Sequence, residues 1–286
     1  MLLVFQRRLL SFVAAAIFCT WLGGCVTQEN IRSGPATVHD VNAPISVMAF
    51  NIRLGLGQEE PDGVIYKMKW GRNLSAVIDA IRASGTDIVA LQEVAGVSQM
   101  ETMAKALDMN YAFAWHQTGS SRAPWWGVGI LSRFPITRSR SAEISWGRGN
   151  SRSVLIASIA THQGDISVFS IHKDKDLRDG ASIRNILAEA RAETNPVLLA
   201  GDFNVRPGDK RLNELLTTFV DTAPAAKSRP AQKAIERGTF IPSRKRIDYV
   251  FAQAEDFDVI DASLIADAHW HASDHIAYIA KLRIRK

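Results

Sequence analysis

Cysteine is scarce: the 286 residues contain two, Cys19 and Cys25, both within the first 25 positions. A mature chain beginning at Cys25 keeps one thiol and forms no internal disulfide, so no framework of bridges shapes the fold. No long charged block, low-complexity run or internal repeat occurs, which excludes a polyelectrolyte tail and a repeat array. The apolar run at residues 9–21 is shorter than the roughly 20 residues a membrane-spanning helix needs. What is present is ordinary for a globular enzyme: 47% apolar residues, 22% charged, and enough length for one large core. One catalytic domain is the expectation.

Arg7 and Arg8 precede the apolar run, and small residues lead from it into Cys25, the pattern of an export signal. Leu22-Gly23-Gly24-Cys25 resembles a bacterial lipobox, whose cysteine is lipidated and becomes the first residue of the mature chain. A free thiol is a liability in an oxidising compartment and a lipid thioether removes it, so the cysteine count agrees with the resemblance. It implies an exported protein held to the cell envelope and membrane by a lipid on Cys25. Val26 in place of Asp implies the outer membrane. Removing residues 1–24 takes away Arg7 and Arg8 and no acid, which lowers the formal net charge from +5 to +3. Such a mild balance suits an anionic substrate without requiring one.

Residues 25–43 are polar, contain Gly34 and Pro35, and read as a tether. The domain then runs over residues 44–286. Buried strands are expected at residues 45–52, 87–91, 111–115, 128–131, 154–159, 166–171, 197–200, 246–251, 259–264 and 276–282. Gln163 and Gly164 turn a hairpin. Helical spacing joins Trp70, Leu74, Val77, Ile78 and Ile81 before Gly85, covers residues 98–107, and joins Ile183, Ile186, Leu187 and Ala190. A looser basic stretch holds Lys227, Arg229, Lys233 and Arg237. Many strands with interspersed helices predict mixed sheets packed together with helices outside.

Several apolar strands end in polar residues: Asn51, Glu93, His172, then Asp202 and Asn204 after Gly201. Asp248 lies inside a strand, and Asp274 with His275 precedes the last one. Each alone has a structural use, as a turn residue, a solvated strand end or a structural histidine. Together they can converge on one rim of a sheet, which is how a fold gathers catalytic groups from distant positions.

The stretches MAFNIR around Asn51, LQEV around Glu93, SIH at His172, GDFN at Asp202, RIDYVF at Asp248 and SDH at Ser273–His275, in this order, resemble the endonuclease/exonuclease/phosphatase superfamily. The resemblance covers about Pro44 to the C-terminus. It implies an α/β fold of four layers, two mixed β-sheets flanked by helices, and a metal-dependent phosphoesterase using Mg2+, with Mn2+ as a substitute. By resemblance, Asn51, Glu93 and Asp274 are metal residues, Glu93 foremost. His172 and Asn204 hold phosphate oxygens, and Asp202 orients the attacking water or handles the leaving-group proton. His275 is the acid/base centre, with either Asp248 or Asp274 accepting its hydrogen bond. A hard cation prefers such oxygen donors and stabilises charge on phosphoryl oxygens.

After His172 the sequence runs Lys173-Asp174-Lys175-Asp176 where many relatives continue with leucine. Asp174, Asp176 and Asp179 lack the glycine and closing glutamate of a calcium loop and read as a solvated turn. Trp125 and Trp126 are either an exposed pair that grips a base, a sugar or a membrane surface, or buried at a strand start. Arg133, Arg138, Arg140, Arg148 and Arg152, and separately Arg244-Lys245-Arg246, are the two basic groups able to face nucleic acid. The expectation is a phosphate-ester substrate, with phosphodiesters favoured over monoesters and phospholipid headgroups. A non-catalytic binding protein on the same scaffold is the reading from another class.

Overall fold

Residues 27–30, 42–58, 70–116, 126–145, 152–175 and 180–285 are described by the computed structural model. Strands with apolar residues at every position bury both faces, so they must lie between two layers. In β2 (Ile45–Asn51), Val47 and Ala49 enter one core while Met48 and Phe50 enter another. β3 (Ile88–Val94) divides in the same way, with Ile88 and Ala90 facing one side and Val89 and Leu91 the other.

These strands belong to a seven-stranded mixed sheet in the order β1-β4-β5-β3-β2-β13-β12. Its other members are β1 (Thr27–Asn30), β4 (Asn110–Trp115), β5 (Gly127–Ser132), β12 (Phe257–Leu264) and β13 (Tyr278–Ile284). A six-stranded mixed sheet runs β10-β11-β9-β8-β7-β6. It comprises β6 (Ile136–Ser145), β7 (Arg152–Thr161), β8 (Gly164–His172), β9 (Val197–Asp202), β10 (Phe219–Asp221) and β11 (Asp248–Gln253). Within each sheet one pair is parallel, β2 with β3 and β8 with β9.

The inner faces of the two sheets share one core, in which Val47, Ala90 and Ile130 meet Leu155, Val168 and Val250. Outside the first sheet pack α1 (Leu74–Ser84) and α2 (Val97–Leu107), and outside the second packs α3 (Ala181–Arg191). The result is the four-layer α/β sandwich expected from the sequence. No described helix is long and apolar enough to cross a membrane.

Four differences from the sequence reading have physical reasons. Thr27–Asn30, read as tether, adds an antiparallel edge strand to β4; pairing there uses backbone groups, which periodicity does not reveal. β6 is missing from the expected strands because its middle is polar, and its cations are paired at the end of α3: Arg140 bridges Glu189 of that helix at 2.5 Å and Glu193, just beyond it, at 2.6 Å. β10, only three residues long, was hidden by its brevity. The loose basic stretch contains α4 (Thr222–Ala226) and α5 (Arg229–Arg237). The Ser228 hydroxyl caps α5 by accepting the Ala231 N–H at 3.1 Å, and Ala223, Ala231 and Ala234 bury in the inter-sheet core.

Gly201 shows how tightly β8 and β9 are joined below the site. Its φ is 144°, and a Cβ there would stand 2.0 Å from the Ile171 carbonyl oxygen. Backbone cannot yield as a flexible side chain can. Gly201→Ala is therefore expected to destabilise the chain by about 3 kcal/mol or more, measured by urea unfolding. A loss under about 1 kcal/mol would mean that the strands part easily there.

Candidate active site

The first sheet delivers Asn51 at the end of β2, Glu93 on β3, and Asp274 with His275 just before β13. The second delivers His172 from β8, Asp202 from β9 and Asp248 from β11. Strand register sets the second group side by side, with His172 opposite Asp202 and Asp202 opposite Asp248. A polar tie fixes the two sheets behind the site. Ser170 Oγ accepts from Gln92 Nε2 at 3.1 Å and donates to the Leu91 carbonyl at 2.9 Å.

Glu93 occupies a β-bulge. The register of β3 against β5 slips between Gln92 and Val94, and Glu93 takes φ 53°, a left-handed conformation that costs a residue with a Cβ. The bulge turns its carboxylate towards Asn51, whose Nδ2 donates to Glu93 Oε1 at 3.2 Å and to Asp202 Oδ2 at 3.3 Å. Asn51 therefore bridges the carboxylates of the two sheets. Asn204, at φ 51°, donates its backbone N–H to Asp202 Oδ1 at 2.8 Å and its amide to Oδ2 at 3.3 Å.

His275 is buried between the sheets and leans against the half-buried Phe240 ring at 4.8 Å. Its Nδ1 lies 2.8 Å from Asp248 Oδ2, and its Nε2 points towards Asp202 Oδ2 at 3.9 Å. The choice left open by sequence is thereby settled in favour of Asp248. Asp274 is instead 3.5 Å from Arg53 Nε, and its Oδ1 accepts from the Ser273 hydroxyl at 3.3 Å. His172 Nε2 stands 3.6 Å from Asp202 Oδ2. Two buried atoms, His172 Nδ1 and Asp248 Oδ1, have no hydrogen-bond partner among the described residues.

Burial opposes a charge on His275, but Asp248 and then Asp202 outweigh it and hold the imidazole up to about 10, so it is protonated at neutral pH. Burial, and then Asp248, pushes Asp202 up to about 7. Burial likewise raises Glu93, partly offset by His275 and Asn51. His172 falls well below its ordinary value through burial and the nearby Arg152, and is neutral. Carboxylates raised chiefly by burial hold their charge at a cost, which a nearby cation would relieve.

The linkage for His275 has a definite sign. Its folded value of about 10 exceeds its ordinary 6.5, so the folded chain keeps a proton that the unfolded chain releases between those values. The stability it confers is complete below pH 6.5 and is lost as pH rises through 10. Thermal unfolding in EDTA at pH 7 and 9.5 is expected to show this fall, and His275→Gln to flatten it. Equal slopes in both proteins would contradict the assigned proton.

An open cleft of about 580 Å³ exposes Glu93, His172, Asp202, Asn204, Asp274 and His275 at its floor. Arg152, Lys175, Arg206 and Lys245 line it as well, with Phe240 and Ile247 as an apolar wall. Among the described residues, Asp202, Asp248 and His275 lie close enough to share a metal ion. That grouping differs from the Asn51, Glu93 and Asp274 set expected from sequence. Glu93, Asn51 and Asp274 offer only the side-chain oxygens a hard cation prefers, whereas His275, held protonated beside Asp248, would repel an ion.

A model of the Endonuclease/Exonuclease/phosphatase family matches residues 48–275. The chain belongs to this family. Its members are hydrolytic phosphoesterases, and the match contains every site residue named above. Solved structures with the same fold include the Beutenbergia cavernae endonuclease/exonuclease/phosphatase, 20% identical over 85% of this chain and 72% of that one, with a TM-score of 0.66. The Bacteroides thetaiotaomicron mannosyl-6-phosphatase is 19% identical, covering 83% of this chain and 99% of that one, with a TM-score of 0.62. Danio rerio (D. rerio) TDP2, solved with a single-strand DNA product, is 17% identical, covering 85% and 100%, with a TM-score of 0.60. At such identities the likeness establishes the fold. No curated protein sequence matches the chain.

All eight residues singled out in the sequence converge on this one site, Asp274 at its edge. The two basic groups are divided: Arg140 pairs with Glu189 of α3 and, with Arg138, with Glu193 just beyond it, Arg133 donates to the Thr86 carbonyl at 3.2 Å, and Arg246 Nη1 bonds Asp221 at 2.9 Å, whereas Arg152 and Lys245 line the cleft. Trp126 is half-buried immediately before β5, whereas Trp125, Arg148, Asp176 and Asp179 lie outside the described residues. Phe240 and Arg53 are site neighbours that sequence reasoning missed. The Gly238-Thr239-Phe240 turn before RIDYVF offered the one local signal for Phe240.

Proposed function

We propose that this chain is a metal-dependent hydrolase of phosphodiesters, acting by attack of water on phosphorus. The observation that carries the reading is the two-zone electrostatics of the cleft. Carboxylates and a protonated His275 form the floor, while Lys175, Arg206 and Lys245 stand at the rim, where groups flanking a scissile phosphate would lie. A monoester would use the floor and leave most of the rim unoccupied.

Glu93 and Asn51, with Asp274 at the cleft edge, would hold Mg2+ or Mn2+. The ion, when bound, supplies Lewis-acid stabilisation of charge on the phosphoryl oxygens. Asp202, aligned by Asn51 and Asn204, orients the attacking water and takes up its proton, a task that suits a carboxylate titrating near neutrality. His275, kept cationic by Asp248, faces the developing negative charge, and neutral His172 donates a hydrogen bond to a phosphoryl oxygen.

The test is hydrolysis by a soluble fragment from about Gln28 onward. The panel is plasmid DNA, RNA, bis-p-nitrophenyl phosphate, p-nitrophenyl phosphate and sphingomyelin, with Mg2+ or EDTA and with His275→Ala as control. Diester cleavage that requires Mg2+ and exceeds monoester cleavage is expected. A preference for the monoester, or turnover unchanged by EDTA, would overturn the reading.

Residues 1–25 support export and anchoring to the bacterial envelope, at the outer membrane, through a lipid on Cys25. In an expressing Gram-negative host, labelled palmitate is expected in the wild-type chain and absent from Cys25→Ser. Label in both would place the lipid elsewhere.

A further inference from the structure

Four side chains beside the floor of the cleft form a closed set of contacts whose purpose the proposed chemistry leaves unexplained. Arg152 opens β7, lines the cleft, and lies with its guanidinium 4.1 Å from the centre of the Trp126 ring. The indole lies 5.0 Å from the His172 ring and 4.7 Å from the His116 ring, centre to centre, and stands perpendicular to the latter at 89°. His116, buried, accepts the backbone N–H of Ser153 through Nδ1 at 3.0 Å. Because Ser153 follows Arg152, His116 also fixes the start of β7, and the circuit closes.

The accepting Nδ1 places the His116 proton on Nε2, which has no hydrogen-bond partner among the described residues. Burial holds both His116 and His172 neutral. Arg152 is thus the charged member of the four, and it stands close enough to Glu93 and His172 to influence both. A guanidinium stacked on an indole gains cation–π attraction and loses rotational freedom, while its N–H donors stay in its own plane. That planar fork matches the oxygens of a phosphate. An exposed lysine at the rim has no such preparation.

We propose that Arg152 is a substrate-phosphate-binding residue of this site and that Trp126 is the residue that positions it, backed by His116. The inference rests on the phosphoesterase reading. Arg152 grips a non-bridging phosphate oxygen from the side of the cleft where His172 lies. Trp126 touches no substrate and acts through Arg152.

The experiment measures kcat, KM and calorimetric orthophosphate affinity, in Mg2+, for Arg152→Ala, Arg152→Lys, Trp126→Leu, Trp126→Phe and the double variant Arg152→Ala/Trp126→Leu. Thermal unfolding verifies that each folds, and the Lys and Phe variants carry the test if either truncation does not. Arg152→Ala is expected to weaken orthophosphate binding about tenfold or more. Arg152→Lys should fail to restore it, and added guanidinium ion should restore part of the lost rate of Arg152→Ala. Trp126→Leu should weaken binding, Trp126→Phe should do so less, and the double variant should be no worse than Arg152→Ala alone. Multiplying losses in the double variant would overturn the positioning role. Wild-type orthophosphate affinity in Arg152→Ala would overturn the proposal altogether. If the wild-type chain hydrolysed no phosphate ester, the phosphoesterase reading would fall, and the orthophosphate measurements would still decide the anion site.

Discussion

His275→Ala is expected to lower kcat by about two to four orders of magnitude and to destabilise the fold at the same time. The two losses share one cause. Asp248 is buried, its Oδ2 relies on the imidazole at 2.8 Å, and its Oδ1 has no partner among the described residues. Removing His275 leaves that carboxylate buried and unpaired, which typically costs about 3–5 kcal/mol. Asp248→Asn separates the effects: it keeps the shape and removes the charge that sustains the histidine's proton. It should cost less stability than His275→Ala, and it should move the alkaline limb of the rate profile to lower pH as the imidazole's value falls from about 10. Steady-state kinetics over pH with urea unfolding of both variants provide the check. An alkaline limb that stays in place in Asp248→Asn would show that another group titrates there.

Glu93→Gly should act in opposite directions on activity and stability. Glu93 combines three costs in the metal-free chain: a left-handed φ of 53°, a carboxylate raised by its surroundings, and proximity to Asp202 and Asp274. Glycine removes the backbone strain, of order 1–3 kcal/mol, and returns about 0.5–1 kcal/mol of that as added unfolded-state entropy. In EDTA, Glu93→Gly is therefore expected to melt at or above the wild-type Tm despite the lost Asn51 hydrogen bond. In Mg2+ the order should reverse, because a ligand that binds only the folded chain stabilises it, and the variant has lost the oxygen donor proposed to lead in holding the ion. Hydrolysis should fall to background. Calorimetric melting in both buffers settles the matter: a variant less stable than wild type in EDTA would mean that the bulge is supported by the carboxylate rather than strained for it.

Legibility in the sequence followed burial. Strands such as β2, β3 and β9 are apolar at nearly every position, so the change to a polar residue at their ends stood out, and Asn51, Glu93 and Asp202 were readable from that contrast. β6 was not, because its middle cations are satisfied by Glu189 of α3 and by Glu193 just beyond that helix. Charge was the least legible property. The arginines at 133, 138, 140 and 246 looked like a polyanion surface, yet each has an internal partner that only the tertiary fold reveals. The pairing of His275 with Asp248 rather than its chain neighbour Asp274 was hidden for the same reason. Asp248 is 27 residues away on the other sheet, and only the docking of the two sheets brings it to the imidazole. Glu93 was found by its place after an apolar run, while the bulge that aims it leaves no mark on composition.

The seam between the sheets, tied by Gln92 and Ser170, also determines when during folding the protein becomes an enzyme. Neither sheet holds a complete site: Asn51 and Glu93, proposed to hold the metal, stand on one, and Asp202 with the partner of His275 stands on the other. A chain with one sheet formed, or with both formed but undocked, has secondary structure and no means of hydrolysis. Activity therefore reports the last large step of assembly, the meeting of two layers, rather than the formation of either.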